Sequence, residues 1–163
     1  MPDEKKTRRQ VIKAAAGTAV ALAIPSLADA QVAQKPPALK PELVKEFVGA
    51  GHANLDKVKE MLAAEPGLLN ASWDWGGGDF ESAIEGAGHM GRRDIAEFLI
   101  SQGARMSIFQ AAMLGEIELV KSILAAHPET AKSQGPHGIS LISHAERGGE
   151  RSKAVVELLK GLG

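Results

Sequence analysis

Cysteine and tyrosine are absent from this chain of 163 residues, and the aromatic side chains are limited to four Phe and two Trp. The lack of cysteine excludes a disulfide framework, a thiolate metal site, a cysteine nucleophile and a lipidated cysteine. With so few aromatic residues, the core has to be filled by Ala, Leu, Val and Gly. Small residues suit closely packed helices better than a large β-sandwich, so the composition favours an all-helical fold.

An excess of charge of one sign is also lacking, because 19 basic residues face 20 acidic residues and the formal net charge is −1. Residues 1–30 hold five of the basic and three of the acidic residues, which leaves 14 and 17 in the remainder and a net charge of −3. A domain with this net charge has no excess of positive charge to bind a phosphate backbone, so we expect no nucleic-acid partner. The apolar fraction of 44% is sufficient for one packed domain at this length.

The first thirty residues have the order of an export signal. A polar start containing Arg8 and Arg9 is followed by the apolar residues 14–24, by Pro25, and by Ala28-Asp29-Ala30, the small-x-small pattern of a signal peptidase site. The apolar run is shorter than the ~20 residues of a bilayer span, so it predicts a signal peptide and no stable membrane insertion after cleavage.

The segment Thr7-Arg8-Arg9-Gln10-Val11-Ile12-Lys13 resembles a twin-arginine export signal, with Val11 where that class most often has Phe. The resemblance implies a bacterial protein that is periplasmic or secreted, with cleavage after Ala30. An ordinary secretory signal that contains two arginines by chance is the alternative. Three prolines within residues 31–41 predict a linker, which leaves 42–163 as the folded domain.

The remainder of the chain is internally repetitive. Residues 53–62, 91–100 and 115–124 superimpose, and a looser fourth copy begins at His137 and runs to residue 159. Each of the three closer copies has a small residue, an acid three places later, and apolar residues at helical spacing. A short Ala/Gly-rich stretch precedes each of these three. The pattern predicts consecutive helix pairs that bury their apolar faces by stacking.

The repeated pattern resembles the ankyrin repeat, whose consensus runs T-P-L-H-x-A-A-x-x-G-H-x-E-V-V-x-L-L-L-x-x-G-A. The second copy follows it most fully, with residues 82–85 in place of T-P-L-H and Gly103-Ala104 at the end. The resemblance covers residues 42–160 and implies an all-α ankyrin-repeat solenoid of about four stacked helix-turn-helix repeats with short or extended finger loops. A generic helical bundle or a tetratricopeptide-like solenoid is the alternative.

Spacing against the family pattern locates the unusual loops. Asn70 and Ile84 are fourteen positions apart where the family has ten, so the finger between repeats one and two is longer by about four residues. Gly103 and Ile108 are five positions apart where the family has fourteen, so the next finger is nearly absent. We expect a shortened concave face there. The candidate partner-binding residues on the long finger and this face are Trp73, Asp74, Trp75, Gly76, Phe80, Phe109, Gln110 and Met113.

Both tryptophans lie in the long finger beside three glycines, as aromatic anchors of an interface often do. The alternative is that a tryptophan covers the seam between repeats. Asp74 and Asp79 are able to form a carboxylate pair, but we expect Asp74 to hydrogen-bond within its own turn and Asp79 to cap the following helix. The glycines lack the lysine and the Ser/Thr of a phosphate-binding loop.

Residues that carry chemistry are sparse. The five histidines are spread along the chain, no two have i, i+4 spacing on one helix, and no cysteine supports them. We therefore expect turn or cap roles for them, with no metal, no cofactor and no catalytic residue. The resemblance implies an exported protein–protein interaction module that is not an enzyme. The alternatives are an accessory or stabilising factor for an exported redox enzyme and a cofactor-binding enzyme.

Overall fold

A computed structural model describes residues 36–162 of the protein. The predicted twin-arginine pair Arg8–Arg9, the cleavage site after Ala30 and residues 31–35 of the predicted linker lie outside the described residues. Residues 36–40 have no regular structure, although Leu39 already packs against the core. None of the helices in the described range is long and apolar enough to cross a bilayer.

The described residues contain eight α-helices, arranged as four consecutive pairs. The helices are α1 Pro41–Gly51, α2 Leu55–Ala64, α3 Ala83–His89, α4 Arg93–Ser101, α5 Ile108–Leu114, α6 Ile117–Ala126, α7 Leu141–Arg147 and α8 Lys153–Lys160. The predicted helical class is thereby confirmed. The second helix of each of the first three pairs overlaps one of the three self-similar segments and extends slightly beyond it.

Local sequence explains where several helices begin and end. The Glu85 carboxylate accepts hydrogen bonds from the backbone N–H and the hydroxyl of Ser82, both at 2.7 Å, at the start of α3. Gly103, with a φ of 92°, follows the end of α4 in the left-handed conformation that ends many helices. Pro66 and Pro128 follow α2 and α6 and begin short 3₁₀ turns, because proline cannot continue the helix before it. Further 3₁₀ turns are formed by Pro136–Gly138 and Gly149–Ser152.

The helix pairs pack side by side in two layers. The first helices contact one another in the order α1, α3, α5, α7, while α2 contacts α4 and α6 contacts α8. Their buried apolar side chains form two clusters, one centred on Phe47, Ile95 and Leu99 and the other on Val120 and Leu141. Burial of a side chain of this size stabilises the fold by ~1.5–3 kcal/mol.

The lengthened finger forms a β-hairpin, which an all-α fold does not include. Strands β1 Ser72–Asp74 and β2 Phe80–Ser82 pair antiparallel, with Trp73 opposite Glu81. Three consecutive glycines, 76–78, connect the strands with φ values of 133°, 67° and 89°, which side chains rarely tolerate. We refer to residues 72–82 as the finger hairpin.

The structure corrects the sequence-based prediction of an exposed concave face around α5. Gln110 and Met113 are fully buried, and only Phe109 keeps part of its surface. The reason is that α5 lies between α3 and α7 in the first layer, so that both neighbours cover its side chains. The Gln110 amide also packs against Gly88 of α3, where an added Cβ would lie 3.2 Å from Nε2. The side chains of Gln110 and Met113 are therefore removed from the set of partner contacts.

Candidate functional site

A buried carboxylate lies at the base of the finger hairpin. Glu81 is on β2, and its side chain is fully buried while its neighbour Phe80 is exposed, as strand alternation requires. Its Oε1 lies 2.7 Å from His89 Nε2 and 3.4 Å from His137 Nε2. Its Oε2 accepts a hydrogen bond of 2.7 Å from Trp75 Nε1 and lies 3.3 Å from His52 Nε2. One carboxylate thus faces three imidazoles and one indole.

The three imidazoles come from different elements that the stacking of helix pairs brings together. His52 immediately follows α1, His89 is the last residue of α3, and His137 is in the turn that precedes α7. A glycine at position 86 lets the His52 ring approach, because an added Cβ there would lie 2.9 Å from the ring. We refer to His52, Glu81, His89 and His137 as the histidine cluster.

His137 is fixed by a carboxylate of the finger hairpin. Asp79 accepts hydrogen bonds from the His137 backbone N–H at 2.8 Å and from its Nδ1 at 2.7 Å. His137 has a φ of 60°, a left-handed conformation that is uncommon for a residue with a side chain. Such a conformation persists only where the surroundings hold it, and here Asp79 provides two of the holding contacts.

The cluster is compact enough for its four side chains to act on one centre. The ring centroids of His52 and His89 are 4.9 Å apart, and those of His89 and His137 are 5.3 Å apart. One potential ligand atom from each of the four residues lies within 4.8 Å of all the others. Within residues 36–162, no other group of three or more such side chains has this arrangement.

The electrostatics of the cluster favour an ionised Glu81. Burial raises the pKa of the Glu81 carboxyl, but hydrogen bonds from His52, His89 and Trp75 together outweigh burial and hold the pKa well below its ordinary value. The hydrogen bond to Glu81 in turn raises the pKa of His52. The backbone N–H of His137 is the main cause of the lowered pKa of Asp79.

The two tryptophans of the hairpin have different environments. Trp73 is half-buried and packs against the first core cluster, with Lys45 Nζ 5.5 Å from its ring centroid. Trp75 is 39% exposed, although its indole N–H is bound to Glu81. Of the two tryptophans, Trp73 therefore fits the role of covering the seam between repeats, and Trp75 fits the role of a partner anchor.

The two aspartates of the finger act separately. Asp74 Oδ1 accepts hydrogen bonds from the N–H groups of Gly76 and Gly78 at 2.8 and 3.1 Å, which confirms its predicted role within the turn. The predicted helix cap at Asp79 is wrong, because its carboxylate binds His137 and the Ser82–Glu85 pair caps α3.

A surface cleft runs beside the hairpin. It has a volume of about 330 Å³, and Phe80 and Phe109 lie on its walls together with Gln134 and Pro136. Phe80 is 61% exposed. A second, shallow cleft of about 380 Å³ is lined by Gly49, His52, Trp75 and His137, so the histidine cluster is open to solvent on that side.

The sequence carries a signal for this cluster that spacing within a single helix does not reveal. The tetrapeptide Gly-Ala-Gly-His occurs twice, at residues 49–52 and 86–89, at the ends of α1 and α3. Because equivalent positions of consecutive helix pairs lie side by side, the repetition places His52 next to His89. His52 and His89 belong to different helices, so the i, i+4 spacing that marks metal ligands on one helix does not detect them. Nothing comparable marks His137, which depends on a loop contact.

The cluster provides three imidazole nitrogens and a carboxylate, a set of groups able to bind a cation or to move protons. Comparisons with protein-family models, with curated proteins and with solved structures found no match to this chain. The interpretation of the site accordingly depends on its own geometry.

Proposed function

We propose that the protein is an exported ankyrin-type repeat protein that binds another protein with its finger hairpin and the adjoining cleft. Four consecutive helix pairs with their first helices side by side, and a finger loop between the first and second pairs, support this proposal. The sequence pattern of residues 42–160 supports it independently. The periplasm or the medium is the proposed location, from the twin-arginine signal.

One observation carries the binding role. Phe80 is 61% exposed on the hairpin and shares a cleft with Phe109, although the protein has only six Phe and Trp residues in total. An exposed aromatic ring beside a concave surface is typical of an interface anchor, because burial of the ring on binding removes a large apolar area from water. Trp75, Asp74 and Gly76 belong to the same hairpin and are proposed as further contacts of the partner.

The binding role is tested with two matched variants. Phe80→Ala removes the proposed anchor, and Leu119→Ala removes another exposed apolar side chain, 41% exposed, on α6. Each immobilised protein is exposed to a periplasmic extract of the source organism, and the Kd of any captured protein is then measured with purified components. We expect Phe80→Ala to weaken binding at least tenfold, since anchors contribute ~2 kcal/mol or more, and Leu119→Ala to leave the Kd unchanged. Equal affinities for both variants would contradict the proposed surface.

The identity of the captured protein distinguishes an adaptor from the alternative role of accessory factor. If the protein stabilises an exported redox enzyme, that enzyme is the partner, and its thermal inactivation slows when the wild-type chain is added but not when Phe80→Ala is added. A partner whose stability is unchanged favours a simple interaction module. Either result leaves the proposed binding surface intact.

A further inference from the structure

We propose that the histidine cluster binds a divalent transition-metal ion of the zinc class, with His52, His89 and His137 as imidazole ligands and Glu81 as the carboxylate ligand. This inference goes beyond the proposed protein-binding function and does not depend on it. The site joins α1, the finger hairpin, α3 and the turn before α7.

The distances fit a single ion with modest adjustment. In a tetrahedral site with metal–ligand bonds of ~2.0–2.1 Å, neighbouring ligand atoms are about 3.3 Å apart. Glu81 Oε2 lies 3.3 Å from His52 Nε2, and Glu81 Oε1 lies 3.4 Å from His137 Nε2. The pair formed by His89 Nε2 and Glu81 Oε1 is closer, at 2.7 Å, and has to open slightly around an ion.

The outer hydrogen bonds orient two of the rings in the way that metal ligands require. His52 Nδ1 donates to the carbonyl oxygen of Val48 at 3.1 Å, and His137 Nδ1 donates to Asp79 Oδ2 at 2.7 Å. When these rings are neutral with the proton on Nδ1, the Nε2 lone pair of each is free to bind an ion on the side that faces Glu81. The ion then takes the place of the Nε2 proton as the positive partner of the carboxylate. A backbone carbonyl or a carboxylate behind the ring is the usual outer partner of a metal-binding histidine.

The strain at His137 is consistent with a positioned ligand. Its φ of 60° turns the side chain toward Glu81, and the Asp79 carboxylate holds both its backbone and its ring. Trp75 Nε1 plays a similar outer role by donating to Glu81 Oε2. Two carboxylates, Glu81 and Asp79, balance the charge of one divalent ion when the three imidazoles are neutral.

The ligand types determine the class of ion. Three imidazoles and one carboxylate suit Zn²⁺ and its neighbours Co²⁺, Ni²⁺ and Cu²⁺, whereas Mg²⁺ and Ca²⁺ prefer oxygen ligands. Four ligands from the protein complete a tetrahedral shell, as in sites whose role is to hold elements together. We therefore expect the ion to clamp the finger hairpin against α1 and α3.

The test uses the full chain without a histidine tag, first treated with EDTA and then transferred to metal-free buffer. Zn²⁺ is titrated in competition with a chromogenic chelator, and Co²⁺ is titrated separately while the visible spectrum is recorded. We expect one Zn²⁺ per chain and the intense d–d bands of tetrahedral Co²⁺. In a Trp73→Phe background, Co²⁺ should quench the emission of Trp75, whose ring centroid is 6.3 Å from that of His52. Fewer than one equivalent of bound Zn²⁺ would overturn the proposal.

Variants locate the site. Asp79→Asn alters only the outer shell and should weaken Zn²⁺ binding by about 10- to 100-fold, the usual effect of losing such a partner. His89→Ala removes a ligand and should weaken binding further. His127→Ala, whose imidazole is 68% exposed and outside the cluster, is the matched control and should bind Zn²⁺ like the wild type. Circular dichroism confirms the fold of each variant, and Asp79→Asn, at a part-exposed position, provides the result if His89→Ala does not fold. Equal Zn²⁺ affinities for Asp79→Asn and His127→Ala would overturn the assignment.

Discussion

Asp79 and His137 are 58 residues apart in the sequence, yet the Asp79 carboxylate binds both the backbone N–H and the ring Nδ1 of His137, at 2.8 and 2.7 Å. The contact fastens the turn Pro136–Gly138 to the finger hairpin. It therefore connects the part of the chain that carries the proposed binding surface to the part that completes the histidine cluster.

Replacing Asp79 with Asn should loosen this turn without unfolding the protein. Asn keeps the shape of the side chain but loses its charge and one acceptor oxygen, so the left-handed conformation of His137 is held less firmly. We expect amide hydrogen exchange of residues 137–139 to become about threefold faster or more, because local opening costs less free energy than before. Mass spectrometry of exchanged peptides measures this. Asp74→Asn, which affects only the turn of the finger, should leave exchange in residues 137–139 unchanged.

Replacing Glu81 with Ala should destabilise the whole fold. Glu81 is fully buried and accepts hydrogen bonds from His52, His89 and Trp75, and its removal leaves these donors without their common acceptor. Removing one partner of a buried ion pair typically costs ~3–5 kcal/mol. We expect the free energy of unfolding in urea, measured in EDTA, to fall by about 3 kcal/mol or more. Glu81→Gln, which keeps the side-chain volume and an acceptor oxygen, should lose clearly less. An equal loss would show that the negative charge of Glu81 accounts for its contribution, with little from packing or a neutral acceptor.

The contribution of Glu81 should also depend on pH. The pKa of Glu81 is lowered from an ordinary value of 4.5, so its stabilisation is present above pH 4.5 and disappears as the pH falls toward the lowered pKa. The pKa of His52 is raised from 6.5, so its stabilisation is present below pH 6.5 and is lost as the pH rises through the raised pKa.

The difference in free energy of unfolding between the wild type and Glu81→Gln should therefore be largest between pH 4.5 and 6.5 and smaller on both sides. Urea titrations in EDTA at half-unit pH intervals measure it. A difference that stays constant from pH 3 to 8 would contradict the assigned directions of both pKa shifts.

The helices were predictable from the sequence because each is encoded locally. Apolar spacing located the second helices of the first three pairs, and the residues Gly103, Pro66 and Pro128 stand just beyond their ends. The spacing from Asn70 to Ile84 also located the long finger. Its strands were not predicted, because three-residue strands leave no periodicity to detect and depend on the glycine turn.

The site was not predictable by the same means, because its contacts are distant in sequence. Pairing of Asp79 with His137 is set by a loop geometry that no local pattern encodes. Burial of Gln110 and Met113 is not predictable for a related reason: the nearly absent finger predicts an exposed concave face there, whereas α5 is covered by α3 and α7. Only the repeated Gly-Ala-Gly-His could have indicated that His52 and His89 lie side by side.

The proposed export signal can be tested at Arg8 and Arg9, which lie outside the described part of the chain. Replacing Arg8 and Arg9 with Lys should block transport, because the resemblance to a twin-arginine signal depends on that pair. The mature protein should begin at Gln31. Fractionation and N-terminal sequencing of the exported wild type measure both outcomes. Unchanged export of the double-Lys variant would favour the ordinary secretory signal.

Trp73 and Phe80 lie on opposite strands of the same hairpin, but they should respond differently to truncation. Trp73 is half-buried against the first core cluster, so Trp73→Ala removes packed aromatic surface and should cost about 2 kcal/mol of stability, less than the ~3–5 kcal/mol of a fully buried ring. Phe80 is 61% exposed, so Phe80→Ala should change stability by no more than ~0.5 kcal/mol. Urea unfolding followed by circular dichroism gives both values. If Phe80→Ala proved as destabilising as Trp73→Ala, Phe80 would belong to the core, and the proposed partner anchor would lose its physical basis.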